Sequence, residues 1–254
     1  MTERSGPGAE IMGVFVHALS RREAMDRVLA WGAEHRPTSV AFVNTASLVD
    51  GLDNEPLREA LNGTDLAVPD GMPVAKVLRK AGYPDQEQVA GPSFVEALLA
   101  RCHEQGRSLA LFGSTPEVID KLSARIREEF PGARLVWAHS PPFRPLTEAE
   151  RAEVFQALEQ AEPEFVLVGL GCPKQEIWMH ENREHIRSVL LGVGAAFEFS
   201  AGTVRRAPVW MRRSCLEWLH RLLSDPRRLA KRYGKVVPVF LYYWLTGKAL
   251  RKRG

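Results

Sequence analysis

The sequence of 254 residues is poor in cysteine: it has three, Cys102, Cys172 and Cys215, and no CxxC pair. That spacing excludes a disulfide framework and a thiolate zinc site, and it predicts reduced, mostly buried thiols. No apolar run reaches 18 residues, so a membrane-spanning helix is not expected. The first ten residues, MTERSGPGAE, hold no apolar h-region, and a cytoplasmic protein is expected. There is no DxD and no GxSxG. His180 and His185 stand one residue too far apart for HExxH, and on a helix that spacing turns them about 140° away from each other. No metal site is therefore expected. Cys172 has no nearby histidine in sequence to activate it and reads as a buried structural thiol. Gly169-x-Gly171 and Gly192-x-Gly194 begin like GxGxxG, but Lys174 and Phe197 occupy the third glycine position. A dinucleotide cofactor is not indicated.

What is present fits a globular core: 45% hydrophobic and 26% charged residues. The net charge of +3 conceals an asymmetry. From residue 205 to 254 there are 14 basic and 2 acidic residues, a net of +12. The rest of the chain holds 20 basic and 29 acidic groups, a net of −9. An acidic body carrying a basic tail predicts an anionic partner: a membrane surface, a nucleic acid or a phosphorylated substrate. The tail also holds three of the six tryptophans and three of the four tyrosines. Trp210, Met211, Leu216, Trp218, Leu219, Leu222 and Leu223 recur there at roughly helical spacing. Such a stripe suits docking or a membrane interface.

The body alternates short apolar strands with helices of 10–15 residues. The strands are 11–16, 39–43, 66–68, 109–112, 134–138, 165–168 and 189–193. Ser20-x-x-Glu23 and Thr147-x-x-Glu150 are capping boxes, and Ser114-x-x-Glu117 with Pro116 predicts another capped start. This pattern predicts an α/β fold, a Rossmann-like mostly parallel sheet with helices on both faces, plus a basic helical C-terminal appendage. The expected division is a disordered 1–10, an α/β catalytic domain over 11–204, and a basic amphipathic helical membrane-associating appendage over 205–254.

In a parallel sheet the loops after the strands share one edge, where ligands bind. Four such loops carry polar groups: Asn44-Thr45, Asp70-Gly71, Gly113-Ser114 and the stretch Gly169 to Gln175. Asp70 follows the apolar strand Leu66-Ala67-Val68 and Pro69, and Pro73 opens the next helix. It is either a general base or the cap of that helix. Asn44 either holds a ligand hydroxyl or caps a helix. Gly113-Ser114 leads into a helix N-terminus able to meet phosphate. Gly169 and Gly171 lead to Lys174 and Gln175 in a first helical turn, suited to a diphosphate or sugar.

FVNTASLV, DLAVPDGMPVA, VAGPSFVEALL, FVLVGLGCPKQEIWM, GVGAAFEFSAGTVRRAPVWM and CLEWLHRLLSDPRRLAKRY stand in one chain, in the order found in a known family. The sequence resembles the WecG/TagA/CpsF glycosyltransferases (glycosyltransferase family 26) over about residues 11–235. That resemblance implies an inverting, metal-independent transfer from a UDP-sugar donor, without a cofactor. The acceptor would be a polyprenyl-diphosphate-linked saccharide in cell-surface polysaccharide biosynthesis, at the inner face of the plasma membrane. It places the general base on Asp70 and sugar or acceptor contacts on Asn44 and Gln175. It places the basic appendage on Arg206, Arg213, Arg221, Arg228 and Arg232, with an anionic membrane surface as partner. The sequence departs from the family where EQVAG puts Gln88 in place of an arginine. A homo-oligomer is compatible with the sequence.

Two other classes fit parts of the sequence. The basic tail suits a nucleic-acid-binding protein, but its interleaved Trp, Leu and Tyr suit an interface better than base reading, so no nucleic-acid partner is expected. A nucleotide-sugar-modifying enzyme is the other alternative, with the incomplete glycine fingerprint against a dehydrogenase.

Overall fold

The computed structural model describes residues 6–208, 210–211 and 214–251, with only the main chain of Arg228 and Arg251. The chain forms two compact units: Met1–Ala24, Phe42–Ala90 and Arg206–Gly254 in one, Met25–Ala41 and Gly91–Arg205 in the other. The fold is α/β, with a mostly parallel six-stranded sheet and helices around it.

The second unit holds most of that sheet. Its strands are β3 (Thr38–Val43, which continues into the first unit at Phe42), β5 (Ser108–Gly113), β6 (Arg134–His139), β7 (Phe165–Gly169) and β8 (Val189–Gly192). They lie in the order β3-β8-β7-β5-β6 and pair in parallel, with Val40 beside Leu191 and Leu111 beside Leu167. Phe165, Val166, Leu167 and Val168 of β7 are fully buried, which is why the strand reads as an unbroken apolar run. Helices α7 (Glu148–Ala161) and α8 (Lys174–Asn182) contribute Val154, Leu158 and Met179 to a core with Phe112, Val166 and Leu190. Fully burying one such side chain contributes about 1.5–3 kcal/mol. Helices α5 (Gly91–Gln105), α6 (Pro116–Glu129) and α9 (Ala196–Ser200) are tied by one guanidinium. Arg125 donates to both oxygens of Glu96 at 2.7 and 2.9 Å and to the Ser200 carbonyl at 2.9 Å. The Glu96 carboxylate, with that of Glu129, to which Arg125 also donates, raises the Arg125 pKa.

The first unit begins with a hairpin, β1 (Gly8–Ile11) and β2 (Val14–His17). A single strand was expected over 11–16. Met12 and Gly13 break it, with φ of 51° and 83°, the signs that a tight two-residue hairpin turn requires. The expected disorder over 1–10 does not hold for Gly8–Glu10, which pair with β2; residues 1–5 lie outside the described residues. α1 (Arg21–Ala33) starts in this unit with the expected Ser20/Glu23 box. The unit also holds α2 (Thr45–Asp53), α3 (Glu55–Gly63), β4 (Leu66–Pro69) and α4 (Met72–Lys80).

The C-terminal stretch belongs to this unit. It contains α10 (Glu217–Ser224) and α11 (Pro226–Leu245). Pro238 sits inside α11 rather than ending it. A last strand, β9 (Leu250–Arg251), pairs antiparallel with β1, an arrangement with no signature in KALRKRG. No helix among the described residues is long and apolar enough to cross a membrane.

Candidate active site

The sequence candidates of the first unit come together where β3 and β4 end. Asn44 is the N-cap of α2: its Oδ1 accepts from Ala46 N and Ser47 N at 3.0 and 3.1 Å, and Ser47 Oγ closes the box onto Asn44 N at 3.0 Å. Capping was one of two readings for Asn44, and it is realised. It engages Oδ1, and Nδ2 makes no hydrogen bond among the described residues. Thr45 opens the helix beside it, half-buried.

Asp70 follows β4. Its main-chain N–H donates to Val43 O at 2.9 Å, so the end of β4 is bonded to the end of β3. The N-cap of α4 is Gly71, with no side-chain cap hydrogen bond. Asp70 therefore precedes the N-cap position of α4 rather than occupying it. Gly71 lies against Asn44: a Cβ added to it would sit 3.7 Å from the Asn44 Cβ. Asn44, Thr45, Asp70 and Gly71 thus form one half-buried cluster at two strand ends.

Gln88 joins this cluster. Val89 N donates to Pro69 O at 2.8 Å, and Gln88 Nε2 donates to the Asp70 carbonyl. The sequence marked Gln88 only as a departure. That its amide grips the backbone of Asp70, 18 positions away, has no local signal.

In the second unit, Gly113 ends β5 with φ 128°, and a Cβ there would lie 2.5 Å from the Gly169 carbonyl carbon. Only glycine fits this approach of two backbones. Ser114, also at positive φ (58°), donates its N–H to Gly169 O at 2.9 Å, and its own carbonyl accepts from Ser140 Oγ at 2.8 Å. The expected Ser114 cap is corrected: Thr115 caps α6, its hydroxyl accepting from Val118 N at 3.4 Å. Ser114 is bent out of the capping position by the turn that links it to Gly169.

Gln175 is buried, at 5% exposure. Its Oε1 accepts from Gly171 N at 3.1 Å, and its Nε2 donates to Gly192 O at 2.8 Å and Glu176 Oε1 at 2.9 Å. Both amide hydrogens are engaged within the protein, so the side chain shapes the loop from Gly171 onward. Lys174 is exposed at the first residue of α8, preceded by a cis Cys172–Pro173 bond. Cys172 and Cys215 are half-buried rather than buried; Cys102 is buried, and burial pushes its thiol up to about 12.

The basic residues fall in several places. Arg232 of α11 pairs with Asp50 of α2 at 2.9 Å, and Lys235 with Asp53 at 2.9 Å. The hydrogen bond that Lys235 donates to the Asp53 carboxylate raises the Lys235 pKa. Two acids three apart on α2 were not singled out from the sequence; their spacing on one helix face was the available signal. Arg206 and Arg221 are half-buried. Arg213 lies outside the described residues, as does the side chain of Arg228. Between α2 and α11 is a groove of about 410 Å³ lined by Val49, Leu52, Pro238, Val239, Tyr242 and Tyr243, with the Asp53–Lys235 pair in its wall.

The arrangement offers a carboxylate at a strand end with an amide beside it, in the unit that also holds α10 and the basic helix α11. That set suits proton abstraction from a hydroxyl. A family model described as "Glycosyl transferase WecG/TagA/CpsF family" matches residues 9–254.

Proposed function

Because this chain belongs to the WecG/TagA/CpsF glycosyltransferase family, we propose that it transfers a hexose or N-acetylhexosamine-type sugar from a UDP-sugar to a polyprenyl-diphosphate-linked saccharide, without a metal or cofactor. The observation that carries the proposal is Asp70, set beside Asn44 at adjoining strand ends.

In one inverting displacement the acceptor hydroxyl oxygen forms a bond to the anomeric carbon while the bond from that carbon to the UDP oxygen breaks. The hydroxyl proton passes to the Asp70 carboxylate, and UDP leaves with the bonding electron pair. A positioned base supplies about 10²–10⁴-fold of rate. Asn44 Nδ2 is the proposed contact to a substrate oxygen, with Thr45 and Gly71 beside it. Gly113, Ser114, Gly169, Gly171, Lys174 and Gln175 are proposed contributors to donor binding: Lys174 by charge, and the loop residues by shape. Arg206, Arg213, Arg221, Arg228 and Arg232 are the proposed source of positive charge for diphosphate groups, since preorganised cations stabilise charge that builds on a leaving group.

Peripheral attachment to an anionic membrane belongs to the same proposal. Leu223, Leu241, Tyr242 and Leu245 are exposed on α10 and α11, the helices that also carry Arg221, Arg227, Lys231 and Lys235. Apolar residues beside cations suit the headgroup boundary. The deciding experiment incubates the protein with a panel of UDP-sugars and a polyprenyl-diphosphate sugar, read by mass spectrometry. A product one sugar heavier, with release of UDP, is expected; no product from any pair would overturn the reading.

A further inference from the structure

Asp70 is the only polar side chain between Leu66 and Val74, and the main chain around it is hydrogen-bonded on both sides. The Asp70 N–H is held by Val43 O at 2.9 Å, and the preceding carbonyl, Pro69 O, accepts from Val89 N at 2.8 Å. The Asp70 carbonyl itself accepts from Gln88 Nε2. The peptide groups on both sides of the Asp70 Cα are therefore bonded, and two fixed peptide planes fix the direction of the Cα–Cβ bond between them.

The Gln88 end of this clasp is itself anchored. Gln86, two residues earlier, is buried and donates its amide to Leu19 O at 2.7 Å and Glu87 O at 2.8 Å. Arg79 Nε donates to Gln86 O at 2.8 Å, and Glu87 Oε1 accepts from Arg21 N at 2.7 Å. Val89 and Ala90 are buried behind it. The donor is thus presented from a rigid loop rather than from a mobile one. It is also neutral. An amide holds the carbonyl without adding a charge beside the carboxylate, whereas a cation would favour the ionised acid and lower its basicity.

We propose that Gln88 is a positioning residue for Asp70: its side-chain amide, bonded to the Asp70 carbonyl, sets the carboxylate in its working direction. The proposal rests on the assignment of Asp70 as the base. A reacting group displaced by about 1 Å can lose about 10² in rate, so the loss falls on kcat.

The test compares Gln88→Ala, Gln88→Met, Gln88→Glu and Asp70→Asn with the unaltered protein, using the UDP-sugar and polyprenyl-diphosphate acceptor selected by the panel above. Gln88→Met keeps the volume and removes the donor, and it stands in if Gln88→Ala does not fold. Expected are a kcat lower by about 10–100-fold with KM changed less than about threefold, and an unchanged Tm. Gln88→Glu places an acceptor against the carbonyl and an anion near Asp70, so the acid limb of its kcat profile moves to higher pH. Once Asp70 is Asn, adding Gln88→Ala should change the residual rate less than about twofold, because the two residues act as one unit. A structural role alone would lower Tm and give equal losses in both backgrounds. That result, or wild-type kcat in folded Gln88→Met, overturns the proposal. Wild-type kcat in Asp70→Asn overturns the base assignment instead, so the two failures are separable.

Discussion

The main-chain N–H of Asp70 donates to the carbonyl of Val43 at 2.9 Å. This single bond places an acid that follows β4 beside an amide, Asn44, that follows β3, although 26 positions separate the two in the chain. The candidate base and its neighbour are built by strand alignment, and the predictions below start from that alignment.

Asp70→Asn removes the carboxylate and keeps its shape. Transfer should fall by about 10²–10⁴-fold in protein that still unfolds cooperatively. Initial rates and thermal unfolding on the same preparation check this.

Asn44→Ala separates two roles that one side chain carries. The cap to Ala46 N and Ser47 N disappears, costing about 0.5–2 kcal/mol of stability. Asn44→Ser retains a capping oxygen and lacks the amide nitrogen. Stability recovered without activity in Asn44→Ser would assign Nδ2 to substrate.

Gly113→Ala should destabilise the second unit. Strained φ alone costs about 1–3 kcal/mol, and the added Cβ at 2.5 Å from Gly169 demands a backbone shift as well. Denaturant unfolding measures it; a change below about 0.5 kcal/mol would contradict the close approach.

Arg232 and Asp50 can be told apart by function. Their pair is partly exposed and worth about 0.2–1 kcal/mol in a double-mutant cycle. If Arg232 holds a diphosphate, Arg232→Ala loses activity and Asp50→Asn does not. Equal small losses in both would confine Arg232 to holding α11 on α2.

Acid should loosen the start of α7. The Glu150 carboxyl is held down to about 2, first by its hydrogen bond from Arg144 and then by the Thr147 N–H. A folded pKa below the unfolded one, near 4.5, means the contribution is complete above about pH 4.5 and is lost as pH falls toward 2. Glu150→Gln should flatten that part of the stability–pH curve, measured by Tm between pH 2 and 6.

Much of the fold was legible because its signals are local. Fully apolar runs marked β7 and β8, and Ser20/Glu23 and Thr147/Glu150 marked helix starts. Side-chain periodicity and capping act over one to four residues, so the sequence alone determined the α/β class, the strand positions of the six-stranded sheet and the polar groups that end them. The glycosyltransferase family was legible as well, because its motifs are contiguous stretches. Tertiary structure decided the rest. It split IMGVFV into a hairpin, moved the α6 cap from Ser114 to Thr115, and returned the C-terminus to β1 as β9. It turned Gln175 inward and aimed Gln88 at the Asp70 carbonyl. Those outcomes depend on hydrogen-bond partners far apart in the chain. No local propensity encodes them, because each is settled only when the packed core brings one segment's unpaired donors to another's acceptors.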